Sequence, residues 1–324
     1  MTFPRPFPAA LAVAILAALA FVQAIAEPYP SRPIRIIVPN ASSGLADITT
    51  RIVAAQLADS LGQQVIVENR PGAGGTIGTA AAVRAAPDGY TLLAVFDSHA
   101  TNPHLFRNLE YDALRDLAPI SLLVRGPLVL VVGPRVRVES VGEFVALAKS
   151  RPGAVNFATV GPGSPARLLM ELFKLEAGID VTMVPYKGAG LALGDLVGGQ
   201  VDAMFATVPS IRSHLGAGRL RALAITCEKR SDAVPGVPAM SETFPGFVSE
   251  AWVGLLAPAK TPPGIVAQLN AAVVRILGRP DIRTRFAEQG LETVGSTPAQ
   301  LDRWIRAESD RWGRVIREQK ISIE

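Results

Sequence analysis

The chain has 324 residues, 49% of them hydrophobic, and 32 basic residues face 28 acidic ones for a formal net charge of +4. That length holds one large or two medium α/β domains, and the dispersed charge with only 6% aromatics speaks against a nucleic-acid partner. Cys227 is the single cysteine, which excludes an intramolecular disulfide.

Arg5 precedes an apolar run from Ala9 to Val22 and then Ala24-Ile25-Ala26, a small-x-small cleavage pattern. Residues 1–26 therefore read as a secretory signal peptide. The run is shorter than the roughly 20 residues that span a bilayer, so the mature chain is expected to be soluble and exported. Ile34 to Val38 reads as a buried strand, rich in β-branched residues and bounded by prolines. Asn40-Ala41-Ser42-Ser43-Gly44 is a small, polar loop. From Ala46 the pattern turns helical, with Ile52, Val53, Leu57 and Leu61 on one face. A strand, a small-residue loop and a helix start together leave backbone N–H groups at the mouth of a cleft. Those donors and the helix dipole favour an anion such as a carboxylate or phosphate.

Gln64 to Glu68 reads as a second strand, followed by Asn69-Arg70-Pro71-Gly72-Ala73-Gly74-Gly75-Thr76-Ile77-Gly78, a helix from Thr79 to Ala86 and a strand from Tyr90 to Phe96. This alternation predicts parallel βαβ units. The glycine cluster invites a dinucleotide-binding reading, with Asp97 as the ribose acid. Ile77 stands where the last glycine of that fingerprint belongs, and export further disfavours a nicotinamide enzyme. Asp97-Ser98-His99 resembles a triad written in a row, but strand neighbours point to opposite faces; the loop, with Ser98, is expected to line the cleft instead. His99 and His104 lack the spacing of a zinc site, and neither a nucleophile elbow nor a phosphate-binding P-loop occurs. No catalytic group, metal or cofactor is expected.

Ile120 to Val132 is an apolar stretch broken by Arg125-Gly126-Pro127, with a strand expected on each side and a crossing into a second domain. A helix over Glu139–Ser150 and a strand over Val155–Val160 lead to Gly161-Pro162-Gly163-Ser164-Pro165. There Ser164 suits an N-cap and Pro165 the first helical position. The opening arrangement is thus repeated. Strands follow at Val181–Tyr186, Val201–Phe205 and Leu220–Thr226, the last running into Cys227 and giving that thiol a structural place. Ala251 to Pro258 crosses back to the first domain, and the remainder is helical, with a long final helix from Pro298. Two α/β lobes with two crossings make a clamshell that closes on a ligand by a hinge.

The chain resembles the Bug-type extracytoplasmic solute receptors of tripartite tricarboxylate transporters. The resemblance is carried by Tyr29-Pro30-Ser31-Arg32-Pro33-Ile34, Val67-Glu68-Asn69-Arg70-Pro71-Gly72-Ala73-Gly74-Gly75 and Ala86-Pro87-Asp88-Gly89-Tyr90-Thr91-Leu92. Val184-Pro185-Tyr186-Lys187-Gly188, Leu196-Val197-Gly198-Gly199-Gln200-Val201-Asp202, Arg219-Leu220-Arg221-Ala222-Leu223-Ala224 and Gly254-Leu255-Leu256-Ala257-Pro258 extend it over the mature chain. It implies a type II periplasmic binding protein fold: two open-sheet lobes joined by a two-crossing hinge, with the ligand cleft between them. Residues 27–125 and 248–324 would form lobe 1, and residues 126–247 lobe 2. It further implies a monomeric, non-enzymatic periplasmic receptor that holds a small carboxylate and delivers it to membrane carrier subunits. A sensor protein as the recipient, and an exported α/β enzyme, are the alternative readings.

In such receptors main-chain N–H groups and ordered waters from two loops hold the carboxylate. The matching positions here are Asn40, Ala41, Ser42, Ser43, Gly44 and Asp47 on one side, and Gly163, Ser164 and Arg167 on the other. Asp47 matches an acid at the helix start, where it either caps the helix or orders waters. Asn40 to Ser43 stand where the family often has Phe-x-x-Gly, Arg167 where it often has histidine, and Ala206 and Thr207 where a polar residue is common. The expected ligand has a carboxylate held by Ser42, Ser43 and Ser164, with Arg167 adding a contact, and a less polar tail towards Ala206.

Overall fold

The structure, a computed structural model, describes residues 28–42, 44–160 and 165–321; the signal segment read at residues 1–26 lies outside them. β1 (Ile34–Val38) is buried at every position but Arg35, as its β-branched run predicts. It pairs in parallel with β2 (Val65–Asn69) on one side and β3 (Thr91–Phe96) on the other. α1 (Leu45–Leu61) and α2 (Thr76–Val83) connect them, so the βαβ expectation holds.

The stretch expected to break at Arg125-Gly126-Pro127 does not. β4 (Leu117–Val132) is one continuous strand. Its partners change instead: it pairs with β9 (Glu250–Pro258) as far as Pro127↔Glu250, and from Leu128 it pairs with β7 (Ala203–Thr207) and β8 (Arg221–Ile225). Pro127, which has no N–H to give a ladder, sits at the switch, where one set of partners ends. Gly126 is required beside it, because a Cβ there would stand 2.7 Å from the Gly290 carbonyl oxygen. Gly290 in turn precedes a short strand missed by periodicity, β10 (Glu292–Thr293), which also pairs with β4.

Beyond β4 the order β4-β7-β5-β6 is built from β5 (Asn156–Val160) and β6 (Thr182–Tyr186), both parallel to each other and β5 parallel to β7. Strand directions follow from the pairing. β9 is antiparallel to both β3 and β4, so β4 runs with β3; β7 is antiparallel to β4. The two parallel sets therefore run against each other along β4. Phe96 reaches the level of Val124 through Val253, while Thr207 pairs with Leu128. The carboxyl ends of both sets thus arrive at the middle of one strand.

Helices α3 (Ser98–Leu105), α4 (Val141–Ser150), α5 (Pro165–Ala177), α6 (Ala189–Val197) and α7 (Val208–Gly216) complete the inner layers; α8 (Pro263–Gly278), α9 (Pro280–Ala287) and α10 (Pro298–Glu318) follow β9. One core gathers Phe144, Phe157, Phe173, Phe205 and Phe247, with Phe173 making edge contacts to Phe205, Phe244 and Phe247 at 5.5–6.2 Å. Another holds Ile37, Leu93, Val95, Trp252 and Leu256. The final helix serves both, placing Leu301 and Ile305 in the second and Trp312 and Ile316 in the first. Its start carries a capping box between Thr297 and Gln300. The described residues from Arg32 onward form one compact unit, and no helix among the described residues is long and apolar enough to cross a membrane.

Candidate functional site

Helices open after β1, β3, β5 and β7, so the level of Val124 to Leu128 is approached by helix amino ends from both strand sets. Each carries unsatisfied N–H groups and the positive end of a helix dipole. In open α/β sheets this carboxyl edge is where ligands bind.

The β1 loop is held from below. Pro39 is buried, Asn40 half-buried, and Ala41 and Ser42 exposed. Gly44 is the N-cap of α1 with extended backbone and no side-chain cap. Asp47 is therefore not the cap: it stands in the first turn, only 3% exposed. Asn69, at the end of β2, donates from Nδ2 to the Asn40 carbonyl oxygen at 3.1 Å and to Asp47 Oδ1 at 2.9 Å. Arg51 closes the clamp, donating from Nη2 to Asn69 Oδ1 at 2.8 Å and from Nε to Asp47 Oδ2 at 3.1 Å. A buried carboxylate is thus balanced by a cation and a neutral donor, and the loop is tied to the strand beside it.

The glycine cluster supplies the next wall. Gly72, Ala73, Gly74 and Gly75 all have positive φ, at 135°, 44°, 64° and 95°, a path that glycine takes at little cost. The turn lays α2 against the β1 loop so closely that a Cβ on Gly78 would stand 2.8 Å from Pro39 Cα and 2.7 Å from the Arg70 carbonyl oxygen. The Gly74 carbonyl accepts from Ser98 Oγ and from Asn102 Nδ2, each at 3.1 Å. Three sequence-distant segments are thereby joined around one loop.

Asp97-Ser98-His99 is not strand or loop but the start of α3. Its inward residues are polar, Ser98, His99, Thr101 and Asn102 all being buried, which hid the helix from apolar periodicity. His99 shares a hydrogen bond at 3.1 Å between Nε2 and the Ala113 carbonyl oxygen, and burial holds its pKa down to about 4. Asp97 Oδ1 accepts from the Trp252 N–H at 2.9 Å. Burial, with Glu308 adding like charge, raises the Asp97 carboxyl well above its ordinary range. The native protein then binds more protons than the unfolded chain at pH values above the ordinary carboxylate range, so this group's contribution falls as pH rises towards its native pKa. Asp97→Asn keeps an oxygen acceptor for Trp252 and cannot ionise. The expected result is a melting temperature at neutral pH no lower than wild type, with a flatter pH profile, read by calorimetry from acid to neutral pH. A large loss at every pH, with the slope unchanged, would mean that a charged carboxylate is needed there.

A family model described as the tripartite tricarboxylate transporter family receptor matches residues 49–321. The protein BugT of Bordetella pertussis is 43% identical over 296 residues, covering 90% of this chain and 91% of its own length. The chain belongs to the tripartite tricarboxylate transporter receptor family. Among solved structures, an R. palustris protein with adipate shares 33% identity and superposes with a TM-score of 0.87 over 91% of this chain and 100% of that one. MatC from Rhodopseudomonas palustris with bound malate shares 35% identity, with a TM-score of 0.83 over 89% and 100%. The periplasmic binding protein BugD has 30% identity and a TM-score of 0.85, over 90% and 99%. The expected mixed α/β fold of a periplasmic binding protein is therefore the observed one, and the relatives are binding receptors.

In this receptor Asn40, Ala41, Ser42, Gly44 and Asp47 follow β1 directly, and the Ser98 hydroxyl is engaged by the Gly74 carbonyl oxygen. Ser43, Gly163 and Ser164 lie outside the described residues. Arg167 is half-buried in the first turn of α5. Ala206 is 5% exposed and packs among Val129, Val131, Met204 and Val208. The adjoining Thr207 takes the N-cap position of α7, where Ser210 Oγ donates to its carbonyl oxygen at 2.7 Å. Sequence reasoning missed Asn69 as the clamp, although the Asn-Arg-Pro lead-in to the glycines marked the position.

Proposed function

We propose that this receptor captures a small dicarboxylate between two lobes, residues 27–125 with 248–324 and residues 126–247, and hands it to the membrane carrier subunits of its transporter. The arrival of helix amino ends from both strand sets at one level of β4 carries this reading. Adipate and malate, held by two related proteins, each bear two carboxylates, and helix ends on two sides suit one carboxylate apiece. Asn40 to Gly44 hold one end of the ligand, with Asp47 fixing their loop through Asn69 and Ser98 holding the glycine turn. Gly163, Ser164 and Arg167 hold the other, and Ala206 sets the polarity behind it. The protein binds and does not catalyse; it reaches the periplasm by loss of residues 1–26 and works as a monomer.

Calorimetric melting of residues 27–324 with malate, adipate, their monoamides and their neutral diamides tests this. A dicarboxylate at a hundredfold excess over its dissociation constant stabilises by about 2.7 kcal/mol, and diamides leave the melt unmoved. Stabilisation by diamides as strong as by diacids would sink the two-anion reading.

A further inference from the structure

Thr226, the residue after β8, is fully buried and spends every polar group it has on the two strands that cross between the lobes. Its N–H donates to the Leu128 carbonyl oxygen at 2.9 Å, and its Oγ1 accepts from the Leu128 N–H at 2.9 Å. On the other crossing its carbonyl oxygen accepts from the Ser249 N–H at 2.8 Å, and its hydroxyl donates to the Ser249 carbonyl oxygen. Leu128 is where β4 takes up β7, and Ser249 immediately precedes β9. One residue thus fastens both crossings at the same level.

The lobe 1 end of each crossing is fastened separately. Trp252 gives its N–H to Asp97 Oδ1 at 2.9 Å. Arg125, its partner in the ladder, donates from Nε to Glu292 Oε2 of β10 at 2.9 Å. Between these fixed points lie two rungs, Gly126↔Ala251 and Pro127↔Glu250. The ion pair that bridges them, Arg125 with Glu250 at 3.5 Å, is partly in water and holds weakly.

We infer that Thr226 is the positioning residue of the hinge, holding both crossings at one level so that the lobes turn about Gly126-Pro127 and Glu250-Ala251. This rests on the two-lobe reading above. A hinge is a few residues that absorb the backbone change, and a short free segment leaves few directions in which to turn. A ligand held by loops of both lobes needs those loops returned to the same place at each closure, so play in the hinge costs affinity. The hydroxyl is the operative group. Valine would fill the same space but withdraw a partner from the Leu128 N–H and from the Ser249 carbonyl oxygen, both of which Thr226 Oγ1 serves.

The test measures the lobe-to-lobe distance in the ligand-free mature protein by double electron–electron resonance. Spin labels go on Asp59→Cys and Lys149→Cys, exposed positions of α1 and α4, in a Cys227→Ser background. Thr226→Val is expected to broaden the distance distribution by about twofold, and Thr226→Ser, which keeps the hydroxyl, to retain the width seen with threonine. Equal widths with threonine and valine overturn the proposal. Amide hydrogen exchange of the wild-type protein gives a second reading that needs no variant to fold. The Leu128 and Ser249 amides are expected to exchange together, and those of Gly126 and Ala251 about tenfold faster. Independent exchange of Leu128 and Ser249, or Gly126 and Ala251 as slow as they are, also overturns it. Neither arm contains a ligand, so failure of malate or adipate to stabilise the protein bears on the ligand reading alone.

Discussion

Gly78→Ala is expected to destabilise the protein by about 2 kcal/mol and to weaken ligand binding, although it places alanine inside a helix. Helix propensity favours the change by about 1 kcal/mol. Against it, the added Cβ would stand 2.7 Å from the Arg70 carbonyl oxygen and 2.8 Å from Pro39 Cα, both backbone atoms that cannot rotate away. Overpacking of this kind costs about 3 kcal/mol at the upper end of its usual range, so the clash wins. The displaced element is Pro39, which leads the loop to Asn40 and Gly44, so affinity should fall along with stability. Gly194→Ala is the control: it lies inside α6 with nothing within 4 Å of the new Cβ, and it should be neutral or mildly stabilising. Chemical denaturation and ligand titration of both variants decide the matter. Equal behaviour of the two would show that α2 shifts freely away from the β1 loop.

Asn69→Ala is expected to have the second large effect. It removes the donor to Asp47 Oδ1 and the donor to the Asn40 carbonyl oxygen. Asp47 is 3% exposed, so the bond lost from its buried carboxylate has no water to replace it, a change of about 1–3 kcal/mol. Arg51 still faces Asp47, but its own side chain is half in water and such pairs are worth little. The melting temperature should fall by about 2–4 °C per kcal/mol in a chain of this size. With the Asn40 carbonyl released, ligand affinity should drop by about tenfold, equivalent to 1.4 kcal/mol. Asn69→Asp should be worse, because a second carboxylate replaces a donor 2.9 Å from Asp47. A variant that keeps wild-type affinity despite a lower melting temperature would make Asn69 a purely structural residue.

The βαβ order, the positions of most strands and the loop between β1 and α1 were legible in the residues themselves, because β-branched runs and glycine-proline punctuation mark them directly. The remainder was hidden for identifiable reasons. α3 buries Ser98, His99, Thr101 and Asn102, so it carries no apolar stripe to betray it. Arg125-Gly126-Pro127 looks like a break, yet the strand survives because its partners change there. The clamp on Asp47 depends on Asn69, 22 residues away, and no local pattern announces a hydrogen bond across that separation. The glycine cluster was legible as a motif, but its purpose, seating α2 on Pro39, is visible only in three dimensions.

The position of β9 in the sheet sets an order of events in the life of the chain. It lies between β3 and β4 in space, pairing Leu93 with Leu256 and Val124 with Val253, yet it is built from residues 250–258. A nascent chain that has reached only Val132 holds β1, β2, β3 and β4 but lacks the strand that joins β3 to β4. Closure of the first half-sheet must wait until more than three-quarters of the protein has left the ribosome. Long-range pairing of this kind folds slowly, so the first half-sheet stays open for most of the chain's synthesis.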